Sequence, residues 1–138
     1  MEIIDSGFYL GSSDYGDNLK ILQIFSEKNG ILKGITRHTK SKRFFLLNLD
    51  KINFSWSSKN KDGLGYINYE LETFSVDGNQ SLIFSLIKAS ASELCLKFLP
   101  SWQKNIEIFE DLETLSNLLK NNFEHILREY VLWELKFL

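Results

Sequence analysis

LGYINYELETFSVDGNQSLIFSLIKASASELCLKF, residues 64–98, holds the change of pattern that decides the fold. From Leu64 to Phe74 the apolar side chains Ile67, Tyr69 and Leu71 alternate with Asn68, Glu70 and Glu72, the two-residue period of a half-buried strand. After Asp77-Gly78-Asn79 the spacing lengthens to that of a helix, with Ile83, Leu86, Ile87, Ala91, Leu94 and Phe98 as one stripe. Pro100 stops that helix. Strands are therefore expected before this point and helices after it.

The upstream sequence reads as four more strands. Phe8 to Gly11 is a short apolar run closed by the turn formers Ser12 to Asn18. Leu19 to Phe25 is too short for a typical helix and rich in β-favouring side chains. Glu27-Lys28-Asn29-Gly30 forms a hairpin connection in which Asn29 and Gly30 tolerate positive φ, and Ile31 to Thr36 returns as the third strand. Ile52, Phe54 and Trp56 alternate strictly with Asn53, Ser55 and Ser57, and Lys61-Asp62-Gly63 turns the chain toward the strand at Leu64. Five short strands ahead of helices predict a five-stranded β-barrel followed by an α-helical segment, with residues 1–78 as the barrel domain and 79–138 as the helical one.

Downstream, Ile108, Leu112, Leu115 and Leu119 share one helical face, and a third helix is expected from Phe123 through Leu127, Tyr130, Val131 and Leu135. The ending Leu-Trp-Glu-Leu-Lys-Phe-Leu carries no glycine cap and no polar tail. Trp133, Phe137 and Leu138 are thus expected to be partly exposed or covered by a neighbouring molecule, as in a chain cut short.

Charge is nearly balanced, with 16 Lys and Arg against 18 Asp and Glu, so any affinity for a polyanion must rest on local clustering. The cluster is present: Lys33, Arg37, Lys40, Lys42 and Arg43, with His38, run together without an acidic residue. Such a segment beside a small barrel neutralises phosphates, and Phe44, Phe45 and Trp56 offer stacking surfaces for unpaired bases. The competing reading is that Lys40 to Arg43 is a plain solvated loop and that Phe44 and Phe45 anchor it to the core.

Catalytic signals are absent from the sequence. It has no Gly-x-Ser-x-Gly elbow, no phosphate-cradling Gly-x-x-x-x-Gly-Lys loop and no dinucleotide fingerprint. Glu107, Glu110, Asp111 and Glu113 sit early in a helix, where negative charge offsets the macrodipole, and read as a solvated face. His38 and His125 are too far apart and too poorly accompanied to propose a metal site. Cys95, the single cysteine, falls on an apolar stripe and reads as a packed thiol in a reducing compartment. With no basic leader followed by an apolar core, and no run approaching about 18 apolar residues, a cytoplasmic protein without cofactor, metal or enzymatic activity is expected.

Several of these segments together resemble the N-terminal part of the RecO family. They are Gly7-Phe8-Tyr9-Leu10, Tyr15-Gly16-Asp17, the strand Ile21 to Ser26, the hairpin Gly30, the basic run Arg37 to Arg43, Leu64-Gly65 with Tyr69-Glu70-Leu71, and Phe98-Leu99-Pro100 with Ile108-Phe109. The resemblance implies an oligonucleotide-binding (OB) fold that binds single- and double-stranded DNA and anneals complementary strands. It implies RecR, RecA and single-strand-binding protein as partners in recombinational repair. Two departures are visible: His38 stands where the family usually has glycine after the arginine, and the chain lacks the four-cysteine zinc module that many members carry. The alternative function is a protein-interaction module that docks through its helical apolar surface without nucleic acid.

Overall fold

A computed structural model describes residues 1–38, 46–59, 63–72, 82–121 and 124–137. Five strands, β1 (Glu2–Asp14), β2 (Leu19–Ser26), β3 (Gly30–Arg37), β4 (Lys51–Ser57) and β5 (Gly65–Leu71), are followed by α1 (Leu82–Phe98), α2 (Ile106–Lys120) and α3 (Ile126–Leu135). The strands close into a barrel in the order β1-β2-β3-β5-β4, the five-stranded barrel expected from the side-chain pattern and the OB fold that the family resemblance implies. The expected switch of period near Asp77-Gly78 lies outside the described residues.

Strand β1 runs longer than its apolar core. A register shift between Tyr9 and Gly11 bends it, so that its first half pairs with β4 and its later part with β2. Closure is made by β3 and β5, which meet in parallel at Gly34↔Gly65 and Ile35↔Tyr66. Two glycines permit this approach. A Cβ on Gly34 would lie 2.7 Å from the Ile67 side chain, and one on Gly65 2.3 Å from the Trp56 ring.

Two apolar cores share the strands. Inside the barrel, alternate residues from every strand meet, among them Leu22, Ile24, Leu32, Phe54, Trp56 and Ile67. The opposite faces of β1, β2 and β3 carry Phe8, Leu10, Phe25 and Ile31, which with Leu49 bury against the helices. Phe109 of α2 joins the layers, its ring 5.1 Å from Phe8 and 5.3 Å edge-on from Phe25.

The helices exist where the spacing placed them, but two present different faces. Helix α1 buries Ile87, Lys88, Ala91, Ser92 and Cys95, while Ile83, Leu86 and Phe98 of the expected stripe stay exposed. This helix is apolar nearly all round, so its period could not fix which side faces the core. Helix α3 likewise buries Ile126, Tyr130 and Trp133 and exposes Leu127, Val131 and Leu135. Trp133 overturns the expectation of exposure: it is 4% exposed, packed 5.9 Å from Tyr130 and 4.9 Å from Phe137. The chain turns back after α3, bringing Phe137 to Phe98 of α1, so Trp133 is covered from within. Leu138 lies outside the described residues. Among the described residues no helix is long and apolar enough to cross a membrane.

Candidate nucleic-acid interface

Alternation along β3 turns Leu32, Gly34 and Thr36 inward and Ile31, Lys33, Ile35 and Arg37 outward. Register then fixes the neighbours on the outer face. Gln23 lies opposite Lys33, Ile21 opposite Ile35, and Leu19 opposite Arg37, while Tyr66 of β5 stands beside Ile35. Lys33 and Arg37 are exposed and about 13 Å apart along the strand. Tyr66, 63% exposed, is an aromatic surface on the same face.

The charge at these two positions is not cancelled. Lys20, Lys51, Lys97, Arg128 and Lys136 each reach a carboxylate, whereas Lys33 and Arg37 form no ion pair with any described residue. Asp14, on the β1 end near Arg37, is held by Lys20, whose hydrogen bond and charge keep its carboxyl below the usual range. Lys40, Lys42, Arg43, Phe44 and Phe45 lie outside the described residues, so the structure brings together two of the five expected cations.

Trp56 is not a stacking surface. It is wholly buried inside the barrel and donates from Nε1 to the Lys33 carbonyl at 3.2 Å, supporting β3 from beneath. The α2 carboxylates also depart from a purely solvated face: Glu113 pairs with Lys51 of β4, and Asp111 with Lys136 at 2.8 Å. Cys95 is buried, and burial pushes its thiol up to about 12, which fits a packed side chain.

At the other end of the outer face a groove of about 520 Å³ opens between β2, β3, the connection into β5 and the C-terminal end of α1. Gln23 and Lys33 lie on its barrel side, Leu64 on the β4–β5 side, and Leu96, Leu99, Ser101 and Trp102 on the helical side. Among the described residues no carboxylate lines it. Gln23, Tyr66 and Trp102 were missed by reading the sequence. Tyr66 was legible as the outward partner of Ile67 in the β5 alternation, whereas Trp102 sits in an irregular connector after Pro100 that carries no period.

The family described as Recombination protein O N terminal matches residues 1–74. The chain is 28% identical over 142 residues to the DNA repair protein RecO of Ehrlichia chaffeensis, covering 97% of this chain and 52% of that protein. It is 26% identical to the DNA repair protein RecO of Wolbachia pipientis subsp. Culex pipiens, covering 97% of this chain and 56% of that protein. The chain thus spans about half the length of the curated relatives it matches.

Proposed function

Because the chain belongs to the recombination protein O family, whose N-terminal match covers more than half of it, we propose that it binds DNA in recombinational repair through the outer face of β3 and the basic segment beyond it. The observation that carries this reading is the pair Lys33 and Arg37, uncompensated by any described carboxylate, beside the exposed Tyr66 ring. The cations neutralise phosphates and the ring offers a face for a base. Lys40, Lys42 and Arg43 extend the basic strip in this reading.

Residues 1–78 then act as the DNA-binding barrel and 79–138 as the helical part, in a cytoplasmic, non-enzymatic mediator that accepts single- and double-stranded DNA and anneals complementary strands. RecR, RecA and single-strand-binding protein are the partners proposed for the whole protein. The test is fluorescence anisotropy on a labelled single-stranded oligonucleotide across a salt series. Replacing Lys33, Arg37, Lys40, Lys42 and Arg43 with Ala should weaken binding and flatten the slope of log affinity against log salt by about 0.7 for each phosphate that is no longer neutralised. Equal affinity and slope in a folded variant would refute the proposal.

One observation favours a second reading. Leu127, Val131 and Leu135 form a solvent-facing row on α3, each about half exposed, as an apolar docking surface for another protein would. Capture of a partner by the wild type but not by a Leu127→Ser, Val131→Ser, Leu135→Ser variant, with no DNA binding by either, would establish it.

A further inference from the structure

Trp102 has φ of +60°, a left-handed backbone conformation that aromatic residues rarely adopt. It is held there from three sides. Its N–H donates to the Ile31 carbonyl at 2.8 Å, Ser101 bridges to Ile31, and the Trp56 ring meets it edge-on at 4.8 Å. The next residue, Gln103, presses its backbone against Gly30, where a Cβ would come within 2.1 Å of the Gln103 oxygen. The connector after α1 is therefore docked onto the start of β3, and it sets a partly buried indole at the wall of the groove. Strain of this kind persists where surrounding contacts over-determine it, and it gathers at ligand clamps.

The remaining lining has a matching chemistry. Leu64, Leu96 and Leu99 give apolar walls. Gln23 presents a carboxamide with no hydrogen-bond partner among the described residues, able to both donate and accept at a base edge. Lys33 is the only charged side chain lining the groove among the described residues, which favours an anionic ligand. The volume falls within the range of about 300–1,000 Å³ typical of sites for small organic groups.

We infer that this groove receives unpaired bases of a single DNA strand, stacked at Trp102 and read at their edges by Gln23, with Lys33 on the adjoining phosphate. A base inside a duplex has its faces stacked and its Watson–Crick edge paired and does not enter, so the groove makes the protein prefer single strands. The inference rests on the DNA-binding reading above and deepens it: the basic strip holds any backbone, whereas the groove holds bases.

The test uses the full chain with three labelled probes: a single-stranded oligonucleotide, an abasic strand of equal length, and a duplex. Wild type should bind the base-bearing strand about tenfold or more tighter than the abasic one, as one stacked base implies. The base-bearing strand alone should quench tryptophan emission, since Trp56 and Trp133 are buried and Trp102 is not. Trp102→Leu should abolish the advantage of bases while leaving duplex affinity unchanged, and Gln23→Leu should reduce it. The abasic comparison and Gln23→Leu stand even if Trp102→Leu proves unstable. Equal affinity for base-bearing and abasic strands would overturn the groove inference and leave the basic strip standing. No binding of any of the three probes would overturn the DNA-binding reading and this inference with it.

Discussion

Gly65 shows how much of the barrel hangs on one missing side chain. Its backbone passes so close to the Trp56 indole that Gly65→Ala must shift the largest side chain of the barrel interior or part β3 from β5. Overpacking of this kind costs about 1–3 kcal/mol, so the midpoint of urea unfolding should fall accordingly. Cys95 gives a second prediction at this scale. A thiol with no exposed surface and a pKa pushed up to about 12 carries almost no thiolate at neutral pH. A disulfide-exchange reagent should therefore titrate no thiol in the native protein at pH 7.5 and one after denaturation. Rapid labelling of the native protein would show that α1 opens readily.

Among the elements, the β2–β3 hairpin is fastened from outside itself. The Asp5 carboxylate of β1 accepts from the Ser26 hydroxyl, the Lys28 amide at 2.9 Å and the Asn29 amide group at 3.2 Å. Asp5→Ala should leave the buried Ser26 hydroxyl without its acceptor and cost about 1–3 kcal/mol in urea unfolding, with little change in α-helical circular dichroism. Of the two turn residues expected to take positive φ, only Gly30 does, at +74°. Helix α2 is tied to β4 by Lys51 and Glu113. Burial lowers the Lys51 pKa, but the hydrogen bond and charge of Glu113, aided by Glu72 and Glu27, outweigh it and leave the ammonium above its ordinary 10.5. A raised folded value means the link stabilises fully below the unfolded pKa and is lost as pH rises through the folded one. Glu113→Gln should thus cost up to about 1 kcal/mol at pH 7, both partners being partly exposed, and the gap to wild type should close above pH 10.5.

Across the whole molecule, the helices cover the outer apolar face of the barrel rather than forming a core of their own. Phe8, Leu10, Phe25, Ile31 and Leu49 would all be uncovered in residues 1–78 alone. Each such side chain contributes about 1.5–3 kcal/mol when buried, and together they rival the stability of an ordinary domain. The isolated barrel should therefore expose a dye-binding apolar surface and aggregate, while the full chain should unfold in one transition by both circular dichroism and Trp emission. Two separated transitions, or a soluble and cooperative barrel fragment, would show instead that the parts are stable independently.

The sequence by itself determined the strands, the helices and their order, because side-chain period and turn residues act within a few positions of one another. Ile52, Phe54 and Trp56 could point to only one side of a strand, and Ile31 to Arg37 could alternate in only one way. It also marked Lys33 and Arg37, since a basic run free of acids is visible in one dimension. The facing of α1 and α3 was left to the tertiary structure, because both helices carry apolar residues on more than one side and only the barrel's outer face selected Ile87, Cys95, Tyr130 and Trp133. The same holds for the groove. Gln23, Leu64 and Trp102 come from three separate segments, and they meet only because barrel closure at Gly34 and Gly65, and the docking of the 101–103 connector against Gly30, bring those segments to one place.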